Sequence, residues 1–304
     1  MNRKSKILTL IVSYNANKWI DSCLKSVLTS TVKTDIIIID NASEDDTCEI
    51  IQKKYPDVVL IKNNRNLGFG QANNIGLNYA LDNDYAYVLL LNQDAQISPD
   101  MLMHLLNVSE NRREFAILSP IHLNGKRNNF DQRFYYYLIS GCPQFITDMS
   151  LKNKVSPVYH CGFVNAAIWF MTKKCIIKAG GFDPLFFHTG EDLDYYFRIR
   201  AKGLNIGICP EVYAYHGRED RESSPFDNYF TNRKNDLLIN LKNKSSKYKF
   251  RNAIVEVLFD SLINLLRGDI KDYLSDWRIG FYLLFNYRKI KLSRNESLKE
   301  KAYL

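Results

Sequence analysis

The chain has no close pair of cysteines, no uncharged apolar run long enough for a membrane span, and no complete glycine fingerprint for a dinucleotide. Its six cysteines are scattered over 304 residues without a C-x-x-C pair. That spacing excludes a disulfide framework or a cysteine zinc site and fits reduced thiols in a cytoplasmic protein. No segment reaches the roughly 18 apolar residues a membrane helix needs. The opening MNRKSKILTLIV is too short an apolar run for a signal peptide and passes into Ser13-Tyr14-Asn15 without a small-residue cleavage site. The expectation is a soluble protein, at most peripheral at the inner face of a membrane. In Gly68-Phe69-Gly70-Gln71-Ala72-Asn73, Asn73 stands where G-x-G-x-x-G requires its third glycine. A nicotinamide-dependent dehydrogenase is therefore a poor match.

What is present is an ordered series of acids. IIIIDNASEDDT contains Asp40, LLLNQDAQ contains Asp94, FFHTGEDLDYYFR contains Glu191 and Asp192, and AYHGRE brings His216. The first two acids each close an apolar run that reads as a buried parallel strand, and open α/β sheets bind ligands beyond the carboxyl ends of their strands. With a formal charge of +8, acids in those places point to a metal and a phosphorylated ligand. The charge alone is equally compatible with an anionic membrane or nucleic acid. Nucleic acid is excluded as a partner because the basic stretch at 242–251 has only Tyr248 and Phe250 as aromatic platforms.

The first half alternates strand and helix signals: strands at Ile7–Val12, Ile36–Ile39, Val58–Ile61 and Tyr87–Leu91, with helices at Trp19–Leu28, from Asn41-Ala42-Ser43 to about Lys54, and at Gln71–Leu81. Near-continuous apolar strands between helices predict an α/β fold with a mostly parallel sheet flanked by helices. From Asn124 to Pro157 the pattern is irregular and is expected to be a long loop near the site. A strand is expected at Phe163–Met171, a helix after Glu191 and a short strand at Ile206–Cys209. Beyond about 228 the character changes. Lys242, Lys244, Lys247, Lys249 and Arg251 form a basic stretch, followed by helical patterns at Ala253–Leu266 and Trp277–Tyr287. The expected division is 1–228 for the catalytic domain and 229–304 for a helical extension that packs on it, pairs with a second copy as a homodimer, or contacts a membrane surface.

Each candidate has a structural alternative. Asp40 followed by Asn-Ala-Ser can simply end a strand and cap a helix. A lone acid such as Asp94 after a strand is often structural, and Arg65 can be a solvated surface residue. One acid of Glu191, Asp192 and Asp194 is explained by the helix dipole, but three, beside His188 and aromatic neighbours, suggest a general base. His216 becomes a plausible metal ligand once paired with Asp94.

Taken in order, SYN, IDNAS, RNLGFGQANN, LLLNQDA, GGFDPLFFHTGEDLDYYFR and AYHGRE resemble glycosyltransferase family 2, particularly its rhamnosyltransferase-like bacterial members, over about residues 7–220. The resemblance implies a GT-A fold of Rossmann-like type. It also implies inverting transfer of a sugar from a UDP- or dTDP-type nucleotide-diphosphate donor to a saccharide or lipid-linked saccharide in surface polysaccharide assembly, with Mn²⁺ or Mg²⁺ as cofactor. Carried over by position, Asp192 is the base and Glu191 its neighbour. Tyr14, Asp40, Arg65, Gly68, Asn73 and Asn92 line the nucleotide, while Asp94 and His216 hold the metal. His188 and Trp169 are the candidate acceptor or sugar contacts. Asn92 departs from the pattern, since many relatives have Asp there. The rival readings are a nucleotidyltransferase and a non-catalytic sugar-nucleotide binder.

Overall fold

The structure is a computed structural model that describes residues 6–217, 228–243 and 247–304. Of the features read from sequence, Arg218–Ser224 in the polar run after His216, and Lys244 in the basic stretch, lie outside the described residues.

Strands β1 (Ile7–Ser13), β2 (Asp35–Asp40), β3 (Val59–Lys62) and β4 (Tyr87–Asn92) form the parallel half of one sheet in the order β3-β2-β1-β4. Their side chains alternate between two buried layers. Ile37 and Ile39 join one core with Leu8, Leu10 and Leu90, whereas Ile36 and Ile38 join the other with Ile7, Ile11 and Leu89. Four consecutive isoleucines are therefore what the middle of this strand demands, since each buried isoleucine contributes about 1.5–3 kcal/mol. Helices α1 (Ile20–Leu28), α2 (Thr47–Lys54) and α3 (Phe69–Asp82) follow β1, β2 and β3 in turn.

The second half is mixed. β5 (Ala95–Ile97), α4 (Met101–Asn111) and β6 (Phe115–Asn124) come next, with α4 burying Met101, Leu102, Leu105 and Val108 at helical spacing. β8 (Ile168–Thr172) runs antiparallel between β4 and β6, while β9 (Asn205–His216) pairs parallel with β6 and antiparallel with β5 and with β7 (Tyr159–Cys161). β9 extends well past the expected Ile206–Cys209, so that its last residue, His216, lies opposite Ala95.

Two expectations are corrected here. The stretch 124–157 is not one long loop: α5 (Gln132–Gly141) and α6 (Pro143–Leu151) occupy most of it, anchored by Phe134, Leu138 and Phe145 in the core. Asp131 caps α5 by accepting from the Phe134 N–H at 2.8 Å. Nor does α2 start at Asn41–Ser43. Ala42 has a left-handed φ of 66°, Ser43 bonds back to Asp40, and the helix begins only after Asp46.

Helices α7 (Lys173–Ala179) and α8 (Glu191–Ala201) precede β9, and α9 (Tyr229–Lys242), α10 (Phe250–Arg267) and α11 (Ile270–Glu296) end the chain. These last three share a core with Leu185 and Phe186. Lys242, the first residue of the basic stretch, lies inside the protein. Its ammonium is buried and ion-paired with Asp183 and, at 2.7 Å, with Asp194. Asp194 also binds Arg198 at 2.8 Å, and Asp183 accepts from Ser293 of α11. A buried charge network thus fastens the terminal helices to α8.

Candidate active site

The carboxyl ends of β1, β2 and β4 meet at one edge, where Ser13 is in register with Asp40 and Val12 with Asn92. Asp40 is buried and accepts from Ser13 Oγ at 2.9 Å, Ser43 Oγ at 2.6 Å and the Ser43 N–H at 3.0 Å. Asn41, read in sequence only as a helix-cap residue, holds the next loop. Its Oδ1 accepts from the Leu67 N–H at 2.9 Å and its Nδ2 donates to Asn66 Oδ1 at 2.8 Å. Tyr14 is exposed beside these groups, its N–H donating to Gln93 Oε1 at 2.7 Å and its carbonyl accepting from Gln93 Nε2 at 3.1 Å. Arg65 is exposed in the loop that Asn41 braces.

Gly68 begins α3 with φ 80°, and a Cβ there would come within 2.1 Å of the Phe187 carbonyl oxygen. Glycine is required for this close approach, so the RNLGFG segment abuts the turn that leads to α8. Asn73, placed by sequence on the nucleotide, is instead 1% exposed inside α3, with its Nδ2 donating to the Phe69 carbonyl at 2.9 Å. Asn74 does more: its amide binds both the N–H and the carbonyl of Phe182, at 2.6 and 2.8 Å. Trp169 is likewise no acceptor contact. It is 0% exposed, faces the core with Phe182 and Tyr195, and donates from Nε1 to the Val164 carbonyl.

Asp94 and His216 do come together. His216 Nε2 lies 3.5 Å from Asp94 Oδ1 and 3.3 Å from Asn92 Nδ2, and both the histidine and the Asp94 side chain are buried. On the far side, His216 Nδ1 is 3.1 Å from Asp131 Oδ2. The carboxylate at Nδ1 fixes the ring so that Nε2 is turned toward Asn92 and Asp94. Asp131 was missed because a cap residue in an irregular stretch gives no sequence signal of its second contact.

On the other flank, Glu191 and Asp192 open α8 after Gly190, whose φ is 87°. Asp192 is half-buried, and its Oδ2 accepts from the Ala166 N–H at 3.4 Å. The next residue, Ala167, accepts from the Asn92 N–H at 2.9 Å. Two consecutive backbone groups therefore link the Asp192 side to the Asn92 side. Glu191 is buried, and among the described residues its Oε2 has no hydrogen-bond partner. Asn165 Oδ1, beside the same backbone bridge, has none either. Burial, and then the charge of Asp192, push the Glu191 carboxyl up to about 8. His188 is half-buried in the preceding turn, where its carbonyl accepts from Asn235 Nδ2 at 3.2 Å.

Residues 9–169 match the family described as glycosyl transferase family 2. The chain belongs to that family. Among curated relatives of the family member, the low-salt glycan biosynthesis hexosyltransferase Agl10 of Haloferax volcanii is 22% identical over 219 residues. That alignment covers 69% of this chain and 66% of Agl10, just under two thirds of its length. Among solved structures, Staphylococcus aureus TarS 1–349 in complex with UDP aligns with a TM-score of 0.54 at 15% identity, covering 85% of this chain and 71% of that one. GalNAc-T7 with UDP, GalNAc and Mn²⁺ aligns with a TM-score of 0.60 at 16% identity, covering 79% and 48%. These likenesses establish the GT-A fold of the family member.

Proposed function

We propose that this family member is an inverting glycosyltransferase that moves a sugar from a UDP- or dTDP-type donor to a hydroxyl of a saccharide or lipid-linked saccharide, in surface polysaccharide assembly in the cytoplasm. The observation that carries the reading is the backbone bridge at Ala166–Ala167, which ties Asp192 to the strand end bearing Asn92 and Asp94. Inverting transfer needs a base on one side of the anomeric carbon and charge neutralisation on the other.

In this reading, Asp192 accepts the proton of the acceptor hydroxyl while that oxygen bonds to the anomeric carbon and the diphosphate oxygen departs. Burial raises the Glu191 carboxyl, so Asp192, the less buried of the two, is the better placed to act as base. Tyr14, Asp40, Arg65 and Asn92 are assigned to the nucleotide, and His188 to the acceptor side.

Asp94 and His216 would hold the divalent cation, Mn²⁺ or Mg²⁺. Their ligand atoms are 3.5 Å apart, and oxygen and imidazole ligands approach such ions to about 2.1 Å, so the two atoms can share one ion. Among the described residues no group of three His, Cys, Asp or Glu could hold a metal ion. The donor's phosphates would therefore complete the shell, as is usual for Mg²⁺-type sites. A bound cation supplies Lewis-acid stabilisation of the leaving diphosphate.

The test is to incubate the protein with Mn²⁺, a panel of nucleotide sugars and a saccharide acceptor pool. Release of nucleoside diphosphate, with inverted anomeric configuration in the product, is the expected result. Asp192→Asn should lower turnover about 10²–10⁴-fold while donor binding persists. Pyrophosphate release from a nucleotide and a sugar phosphate would instead identify a nucleotidyltransferase. Donor binding without turnover under any condition would identify a non-catalytic binder.

A further inference from the structure

The net charge of the chain is confined to its end. Residues 1–228 contain 25 basic and 25 acidic residues, whereas 229–304 contain 16 and 8. The same region exposes an apolar surface that no other described residues cover. On α10, Ala253, Val257, Ser261 and Asn264 face inward, and the opposite side carries Val255, Phe259, Leu262 and Leu266, each more than half exposed. On α11, Asp276, Ile279, Leu283 and Ile290 are buried, while Ile270, Leu274, Trp277, Phe281 and Leu284 repeat at helical spacing on the outer side, with Phe285 85% exposed beside them. Both helices are thus apolar on two faces, of which the fold uses one. A monomer rarely leaves such a continuous surface bare without an occupant.

Charge chooses the occupant. Arg267, Lys271, Arg288, Lys289 and Lys291 are exposed on these two helices. Their acids are directed elsewhere. Asp276 is buried and accepts from Tyr229 and Asn264, and Glu256 and Asp260 pair with Arg233 of α9. Apart from Asp269 in the turn between α10 and α11, the acids of α10 and α11 are buried or half-buried. An outward face of aromatic and aliphatic side chains rimmed by uncompensated cations complements an anionic interface. It does not complement a second copy, which would bring the same cations against it. No described helix is long and apolar enough to cross a membrane.

We propose that the outer face of α10 and α11 docks flat on an anionic lipid bilayer, with Phe259, Leu266, Trp277, Phe281 and Phe285 entering the headgroup–acyl boundary and Arg288, Lys289 and Lys291 against lipid phosphates. The proposal names the surface that would bring a lipid-linked acceptor to the cleft, but it stands on this face alone and not on the transfer chemistry.

The experiment is sedimentation of the full chain with vesicles of phosphatidylcholine, alone or with a third of the lipid replaced by phosphatidylglycerol. Binding to the anionic vesicles, weakened by salt, is expected, together with a blue shift of tryptophan emission that Trp277→Tyr removes. Lys289→Gln and Lys291→Gln should each weaken partitioning about fivefold, and Phe259→Glu with Phe285→Glu should abolish it. Stabilisation by a nucleotide sugar, read by thermal shift, should be unchanged in all of these variants, which keeps this test separate from that of the transferase reading. Equal binding to both vesicles, or none, overturns the proposal. So does a dimer by light scattering that Phe285→Glu converts to monomers while the native chain ignores vesicles.

Discussion

His216 is held from behind by Asp131, whose Oδ2 lies 3.1 Å from Nδ1, while the same carboxylate caps α5 through the Phe134 N–H. One side chain thus joins the start of a helix to the orientation of an imidazole 85 residues away in sequence.

Replacing Asp131 by Ser retains a capping residue but withdraws the carboxylate from Nδ1. Affinity for Mn²⁺ in the presence of UDP should fall about 10–100-fold, the usual consequence of losing a histidine's outer partner. Titration calorimetry or the Mn²⁺ paramagnetic signal measures it directly. Unchanged affinity would show that His216 needs no such support.

Glu191 makes stability depend on pH. Its carboxyl is raised to about 8 in the folded chain and is near 4.5 when unfolded. Between those values the native state therefore binds the extra proton. The stabilisation is complete below about pH 4.5 and is lost as pH rises through about 8. Glu191→Gln removes this dependence, so the melting temperature of the variant should gain on the native protein as pH increases from 5 to 8. Parallel melting curves across that range would contradict the assignment.

Lys242 faces two buried carboxylates. Lys242→Met leaves Asp183 without its cation and Asp194 with Arg198 alone, and should cost about 3–5 kcal/mol by urea denaturation. Adding Asp183→Asn should recover part of the loss. A cost under about 1 kcal/mol, the level of exposed pairs, would mean that the network is open to water.

Gly68→Ala places a methyl group against the Phe187 carbonyl at a backbone angle that side chains disfavour. Stability should fall by about 1–3 kcal/mol, with the nucleotide-sugar response reduced as the 65–70 loop is displaced. Full retention of both by thermal shift would show that the α3 start can yield.

The parallel half of the sheet was legible in sequence because Ile36–Ile39 and Leu89–Leu91 are buried on both faces and therefore apolar without interruption. The acids that end those strands were legible for the same reason, as breaks in an apolar run. The helices α5 and α6 were not, since their tyrosines at 135–137 are half-buried or exposed and only Phe134, Leu138 and Phe145 mark an inner face. Trp169 looked available to a sugar because a tryptophan near a site carries no sequence mark of which way it points. Asn73 and Asn74 show the same blindness. Two adjacent amides read alike, yet one folds back on its own helix and the other clasps Phe182. Lys242 read only as one member of a basic stretch because its acidic partners are 48 and 59 positions away.

The splice at Ala166 and Ala167 leaves the identity of those two residues unconstrained by the contacts it makes. Main-chain amide and carbonyl, not alanine methyl groups, reach Asp192 and Asn92. Consecutive Cα atoms are about 3.8 Å apart in any trans peptide, so the span between the two flanks is a property of the polymer itself. Ala166 and Ala167 themselves are buried in the two cores on either side of the sheet, so a larger side chain at either place would overpack a core while leaving the main-chain span between the flanks the same length.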